Sequence, residues 1–498
     1  MSEAPATPLP TEDPGAPAIG GPRRSTGYYV LLIVVVLLMA ETTVHGAILL
    51  YSALPYMYPA FTSAQLPWII TVTLLVAGAM QPLIGKLADV FGRKRLLLTV
   101  AVLYIAGSVL GAVAGNFQLM LVARILQAAA VALPGVIYSF FRDYLPRRMV
   151  PISVGLVSTN IGVSAIVAPF IAGGLLSGFG TYRAIFWFCA IYMAVVAPIV
   201  YFVIPEIRQA RKSGPRQRVD FLGSAMFTVG AGLILFGISD ASTAGWTSTT
   251  VLLSLVLGVA LLVAFGFAEY RIKQPMIDMR LLGGHALRTT LLVSLFAGVM
   301  STAWGYVVPQ LLETHAHPGI DYGFGLSATE VGVVTLANGI LSMACGPLGG
   351  YLTKRTSPRF VMLLCCLSGI VAAVLTALWH SELWHFVVFG LIMGISSGFY
   401  YASGPNLVIE AVPSRVTGVS TGMQAFTSAF GGSAMPVVIA AVLAANVLEG
   451  GKEPVYASHG YTAVFLILAA AGVVALVMTS FMRHGRQPAT GGAVSAHH

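Results

Sequence analysis

Long apolar runs separated by short polar stretches set the pattern of this chain. The runs lie near residues 28–50, 67–85, 96–115, 118–140, 152–177, 183–204, 220–240, 249–270, 287–311, 328–352, 360–379, 384–409, 417–445 and 461–482. Each is close to the length of about 20 residues that carries a helix across a bilayer. The pattern therefore predicts an all-α membrane protein of fourteen transmembrane helices, whose even count places both chain ends on one side. Residues 1–26, rich in Pro, Ala, Gly, Ser and Thr, and the tail after Gly485 read as unstructured. Arg23 and Arg24 ahead of the first run resemble the start of a signal peptide, but the run is too long for one and leads into further spans. It reads as an uncleaved first helix.

The basic residues orient the spans. Arg124 lies inside one, and only Arg183 and Lys452 fall beside the turns after odd-numbered spans. The other Lys and Arg residues sit in the tails or in the opposite set of loops, as in Arg93-Lys94-Arg95, Arg147-Arg148 and Lys354-Arg355. By the positive-inside rule both termini are cytoplasmic, which fits a multi-pass protein of a bacterial cytoplasmic membrane. The net charge of +9 and pI near 9.4 then express topology, and no nucleic-acid partner is expected. Composition agrees: 57% of residues are hydrophobic, only 9% are charged, and the mean hydropathy is +0.85. The four cysteines (Cys189, Cys345, Cys365, Cys366) lie in apolar runs without disulfide or metal spacing, so no metal site is expected. No nucleophile or acid pair stands at a catalytic spacing, and the chain does not read as an enzyme.

Candidate chemistry sits in the first span, at Met39-Ala40-Glu41-Thr42-Thr43-Val44-His45. Glu41 and His45, four residues apart, share a helix face. An ionisable group in hydrocarbon costs roughly 2.5–3.5 kcal/mol on insertion scales and marks a pathway or a proton site. Counting about 1.5 Å per residue from the cytoplasmic ends, Glu41 lies roughly 20 Å deep and Arg124 of the fourth span roughly 24 Å deep. The shared level predicts that Arg124 offsets the buried Glu41 carboxylate, that protonation releases it, and that His45 tunes the site.

The chain repeats itself. Gln81-Pro82-Leu83-Ile84-Gly85-Lys86-Leu87 matches Gly346-Pro347-Leu348-Gly349-Gly350-Tyr351-Leu352 at an offset of 265. Asp143-Tyr144-Leu145-Pro146 matches Glu410-Ala411-Val412-Pro413, and Pro169 matches Pro436, both at 267. A shared offset implies two related six-helix halves with two helices inserted between them, the plan of an alternating-access transporter. The expected division is a disordered tail (1–26), an N-terminal bundle (27–206), a linker with the inserted pair (207–284), a C-terminal bundle (285–484) and a cytoplasmic tail (485–498).

Three motifs resemble the major facilitator superfamily. Gly85-Lys86-Leu87-Ala88-Asp89-Val90-Phe91-Gly92-Arg93-Lys94-Arg95 is similar to its loop motif after the second span. Leu121-Val122-Ala123-Arg124-Ile125-Leu126-Gln127 resembles its intramembrane arginine motif, with Ala128 where Gly is usual. Gly162 through Pro169 to Gly173-Gly174 resembles its antiporter motif, with Ala168 before the proline. The inserted pair, from Asp220-Phe221-Leu222-Gly223 to Gln274-Pro275-Met276, looks like that of the fourteen-helix drug:proton antiporter branch. The resemblance implies a latch between the halves at Gly85, Asp89, Gly92 and Arg93, with Asp89 near a helix N-terminus of the other half, where the dipole favours an acid. Lys354 stands where Asp89 aligns, so only the first copy of that motif is complete. One departure concerns Glu41, which lies about five residues before the acid usual in that branch, where Gly46 stands.

The remaining intramembrane polar and aromatic residues, Gln127, Asn160, Trp304, Tyr306, Asn338, Tyr401 and Gln424, are candidates for a substrate cavity suited to apolar or amphipathic molecules. Together these readings predict a monomeric, proton-coupled antiporter in the lipid bilayer that exports hydrophobic or amphipathic drugs, antibiotics or natural products. It needs no cofactor beyond a proton gradient. A lipid or glycolipid exporter of the same fold is the alternative, ahead of a uniporter, a symporter or a transporter-like sensor.

Overall fold

The computed structural model describes residues 24–57, 60–61, 66–206, 220–272, 283–318, 320–326, 328–413, 416–449 and 455–491. The linker around the inserted pair (207–219, 273–282) and the first 23 residues lie outside them.

Fifteen α-helices are described: α1 Thr26–Met57, α2 Leu66–Phe91, α3 Arg93–Val113, α4 Phe117–Val131, α5 Pro134–Tyr144, α6 Val150–Phe179, α7 Arg183–Val203, α8 Phe221–Ala244, α9 Thr249–Arg271, α10 His285–Glu313, α11 Ala328–Arg355, α12 Pro358–Leu378, α13 Leu383–Ala411, α14 Thr417–Ala444 and α15 Ser458–Phe481. A two-stranded antiparallel ribbon, Val447–Glu449 with Val455–Tyr456, precedes α15. Fifteen helices arise where fourteen runs were expected because the fourth run breaks at Ala132-Leu133. Pro134 has no N–H to offer the preceding turn and opens a new helix instead. Polar caps mark several starts. Asn116 accepts from Leu119 N (2.8 Å) and Ser357 from Phe360 N (3.1 Å), each holding an otherwise unpaired first-turn donor. Ten described segments are long and apolar enough to cross a bilayer, with Phe117–Tyr144 counted as one.

Each half buries its own core. Tyr29, Val36, Met39, Leu97, Tyr104, Phe140, Phe186 and Val200 belong to one apolar cluster of the N-terminal helices, and Met300, Trp304, Val307, Phe386, Tyr461 and Phe465 to another in the C-terminal helices. Two seams join the halves: α2 packs on α14, and α6 packs on α11. The sequence repeat relates α2 to α11 and α6 to α14, so these are the two contacts that exchange under a two-fold axis. The inserted helix α8 pairs with α9 and lies against both α2 and α14. Phe227 meets Phe265 and Phe426 edge-on there, at 5.4 and 5.3 Å between centroids, and Trp68 stacks on Phe236 at 5.2 Å.

The seams are tight at one end only. A Cβ at Gly85 would collide with the Gly418 carbonyl, and one at Gly155 with that of Gly346. One at Gly422 would stand 2.6 Å from Gln81 O. Further along α6, Gly162 still meets Met343, whereas Gly173, Gly174 and Gly178 have nothing within 4 Å. On α11, Gly332 and Gly339 are likewise open. The halves therefore meet at the end carrying the α2–α3 loop and the start of α14, and part toward the other end.

Candidate functional site

Glu41 is buried on α1, facing α6. Ser164 Oγ donates to Glu41 Oε2. Asn160, one turn earlier on α6, donates from Nδ2 to Glu41 Oε1 (3.0 Å) when its amide is oriented by the surrounding network. The same Nδ2 reaches Leu37 O (3.2 Å), and Asn160 Oδ1 accepts from Glu41 N (3.3 Å). The side chain thus inserts between a carbonyl and the N–H four residues on, the pair that closes one turn of α1. Next to it, Tyr192 of α7 donates to Leu38 O (2.8 Å). The His45 side chain lies outside the described residues.

Arg124 is buried on α4. Its Nε donates to Ile69 O (3.0 Å) and its Nη1 to Gln127 Oε1 (2.6 Å); Gln127 Nε2 in turn donates to Ser108 Oγ of α3 (2.9 Å). Helix α6 supplies two donors to the Glu41 carboxylate, one from Ser164 and one from Asn160.

The loop motif closes one end of the α2–α14 seam. Gly85 lets the helices touch, and Asp89 accepts from the Gly418 and Val419 N–H groups (3.2 and 3.0 Å) in the first turn of α14. Those donors have no partner within their own helix, and the dipole there favours a carboxylate. Arg93 pairs with Asp89 and, through Nε, with Asp143 of α5 (3.1 Å). All three are buried, so the charges meet without competing water. Gly92, at φ +95°, makes the turn that aims Arg93 back at α2. Arg142 crosses to the other half, donating to Val412 O (2.8 Å) and Thr417 Oγ1, and Thr421 Oγ1 returns a bond to Gly135 O (2.9 Å).

A two-fold pair of helical halves, latched at one end around a buried loop cluster, is matched by known proteins. The Major Facilitator Superfamily matches residues 30–314 and 290–497. The chain belongs to that superfamily. It is 25% identical to an uncharacterised MFS-type transporter of Bacillus subtilis, YcnB, covering 89% of this chain and 92% of that one. It is 27% identical to the lincomycin resistance protein LmrB of the same organism, over 61% of each. The human organic anion transporter MFSD10 superposes with a TM-score of 0.63 at 14% identity, covering 92% of this chain and 100% of that chain. The Escherichia coli fucose:proton symporter FucP gives 0.58 at 18%, over 91% and 98%. At these identities the structures establish the shared fold.

Within this superfamily member, the second copy of the latch is lost on both sides of its seam. The repeat relates Asp89 to Lys354 and Gly418 to Pro151. Lys354 cannot accept, and Pro151 has no N–H to donate. Residues 485–491 lie in that place. The tail after Gly485 reads from the sequence as unstructured, yet its described residues, through Gly491, dock on the helices. Gly485 O accepts from Arg359 N (3.0 Å), and Ala489 N donates to Thr353 O (3.0 Å). Thr490 donates from N and Oγ1 to the two Glu410 oxygens (2.8 and 2.9 Å). Gly491, at φ +72°, lies against Arg147 O of the N-terminal half. Ahead of it, His484 Nε2 meets Thr290 Oγ1 at 2.8 Å. Burial, with His285 nearby, pushes the His484 imidazole down to about 4. Docking of the tail then favours neutral His484, so its strength is full above about pH 6.5, the ordinary histidine value, and falls as pH drops toward 4. Limited proteolysis of the C-terminus should accelerate over that window, and truncation after Gly485 should remove the dependence.

The expected cavity residues separate. Gln127 is committed to α3 and α4, Trp304 packs on Phe465 (5.8 Å between centroids), and Gln424 Nε2 donates to Tyr400 OH (2.9 Å). Asn160 belongs to the Glu41 cluster. Tyr306 is exposed, and Asn338 and Tyr401 are half-buried. Of the antiporter motif, Gly162 touches α11, while Gly173 and Gly174 face open space and the Pro169 ring lies outside the described residues. Ser164, Asp143, Arg142 and Thr417 were not singled out as site residues. An acid at 143 beside a basic pair was legible, but only contact across the halves shows its partners.

Proposed function

We propose that this chain is a proton-coupled antiporter that exports hydrophobic or amphipathic small molecules by alternating access. The reading counts α4 and α5 as one crossing of fourteen, and the basic loops support cytoplasmic termini. The latched end then faces the cytoplasm, and the conformation is open to the outside. The observation that carries the proposal is Glu41, an acid buried in the first helix and held by α6, whose other face grips the opposite half. A carboxylate in such a place changes charge with the proton supply, and its charge state bears on a helix at the moving seam. The resistance names of LmrB and of a multidrug resistance protein B homologue of Mycobacterium tuberculosis, 27% identical over 61% of this chain, support a drug-like substrate.

The test is transport by purified protein in proteoliposomes under an imposed pH gradient, with lincomycin, lipophilic dye cations and fluorescent lipids as probes. Uptake of a small amphipathic probe against its gradient, with protons moving oppositely, is the expected result. Movement of lipid alone would make it a lipid exporter, and downhill flux indifferent to pH would make it a uniporter.

A further inference from the structure

We infer that Ser164 and Asn160 are positioning residues of the proton site, with Ser164 reading the proton on Glu41 and Asn160 holding the carboxyl in place through both charge states. The inference rests on the proposal that Glu41 carries the coupled proton. It removes Asn160 from the substrate cavity and adds a serine with no previous role.

The chemistry follows from what each group can donate. Both oxygens of a carboxylate accept, and here each has one donor from α6, Asn160 Nδ2 on Oε1 and Ser164 Oγ on Oε2. When Glu41 takes a proton, one oxygen becomes a donor. An amide NH2 has no lone pair to receive it, so Oε1 remains the acceptor. A hydroxyl donates or accepts, so the new O–H forms at Oε2 and points to Ser164 Oγ, whose own hydrogen turns away to another acceptor. A charge-assisted bond becomes a neutral one at that position and roughly halves in strength. At Asn160 little changes, because its bonds to Leu37 O and Glu41 N keep it tied to the α1 backbone.

Helix α6 carries this difference toward the other half. Ser164 and Asn160 lie along the face turned to α1. From the same helix, Thr159 Oγ1 donates to Met343 O of α11 (2.8 Å), and Gly155 and Gly162 meet α11 backbone and side chain directly. A weaker α1–α6 bond in the protonated state thus loosens the helix that closes the second seam. Among the described residues, Tyr192 of α7, which donates to Leu38 O, is a titratable group that faces the carboxylate, and Arg124 of α4, which donates to Ile69 O and Gln127, is the charged group of the neighbouring helix.

The experiment is the pH profile of transport in proteoliposomes for wild type, Glu41→Gln, Ser164→Ala, Ser164→Thr and Asn160→Ala. Ser164→Ala removes a donor to the charged form, and such bonds contribute about 1.5–3 kcal/mol. The transport midpoint should therefore move up by about one pH unit or more, with KM for substrate unchanged. Ser164→Thr should restore it. Asn160→Ala should slow turnover at every pH without that directional shift. Identical midpoints for wild type and Ser164→Ala, with Glu41→Gln inactive, would overturn the inference and leave the proton site standing. Proton-driven transport by Glu41→Gln would instead overturn the site. Should Ser164→Ala fail to fold, the midpoint in Ser164→Cys, a weak donor of similar size, decides: no upward shift counts against the inference.

Discussion

Replacing Glu41 by Gln is expected to abolish proton-driven efflux while leaving a folded, detergent-stable protein. The amide is nearly isosteric and keeps one oxygen for the Asn160 or Ser164 donor, so packing around α1 and α6 survives. It cannot exchange a proton, and the coupling is lost with it. The membrane potential contributes roughly 2.3 kcal/mol per charge per 100 mV. At 1.4 kcal/mol per tenfold, one coupled proton sustains roughly a fiftyfold substrate gradient at 100 mV. In Glu41→Gln that gradient should collapse to about unity, with substrate equilibrating downhill if it moves at all. Accumulation ratios in energised vesicles, beside a thermal unfolding curve on the same preparation, measure both halves of this expectation.

The second large effect is expected at the latch. Asp89→Ala strips two first-turn N–H groups of α14 of their acceptor and leaves Arg93 with Asp143 alone. The pair with Arg93 lies within one half, whereas the Gly418 and Val419 N–H bonds cross the seam, and hydrogen bonds to a charged group contribute about 1.5–3 kcal/mol each. Those two bonds exist only while this end of the molecule is closed, so the closed conformation should lose at least about tenfold in population relative to the open one. Gly85→Val should act in the same direction by sterics, because no Cβ fits between Gly85 and the Gly418 carbonyl. Spin-label or fluorophore distances between the C-terminal end of α2 and the N-terminal end of α14 should lengthen in both variants, and turnover should fall with them. Unchanged distances in Asp89→Ala would mean that apolar packing along the seam closes this end by itself.

The two-fold relation between the halves explains why the latch has one charged copy. Opposite the missing acid, the first turn of α6 carries Pro151, which has no N–H, so an acid restored at Lys354 would find one of its two donors missing. Glu410, the repeat partner of Asp143, is instead held by Thr490 of the tail. That arrangement was illegible in the sequence. Composition marks the last residues as polar and small, and their docking depends on backbone hydrogen bonds to Thr353 and Arg359, which any sequence can make once the groups are adjacent.

By itself, the sequence determined the helical membrane class, the two-fold plan and the residues of the first latch. Those properties are written in local signals: run length against bilayer thickness, repeated offsets, and an acid at a fixed distance from a glycine and an arginine. The tertiary structure alone decided which donors hold Glu41. Depth along a helix can be counted from residue numbers, and it set Glu41 and Arg124 at one level. Rotation of each helix about its axis is set by packing, and it brought Asn160 and Ser164 to the carboxylate and Ile69 O and Gln127 to the Arg124 guanidinium.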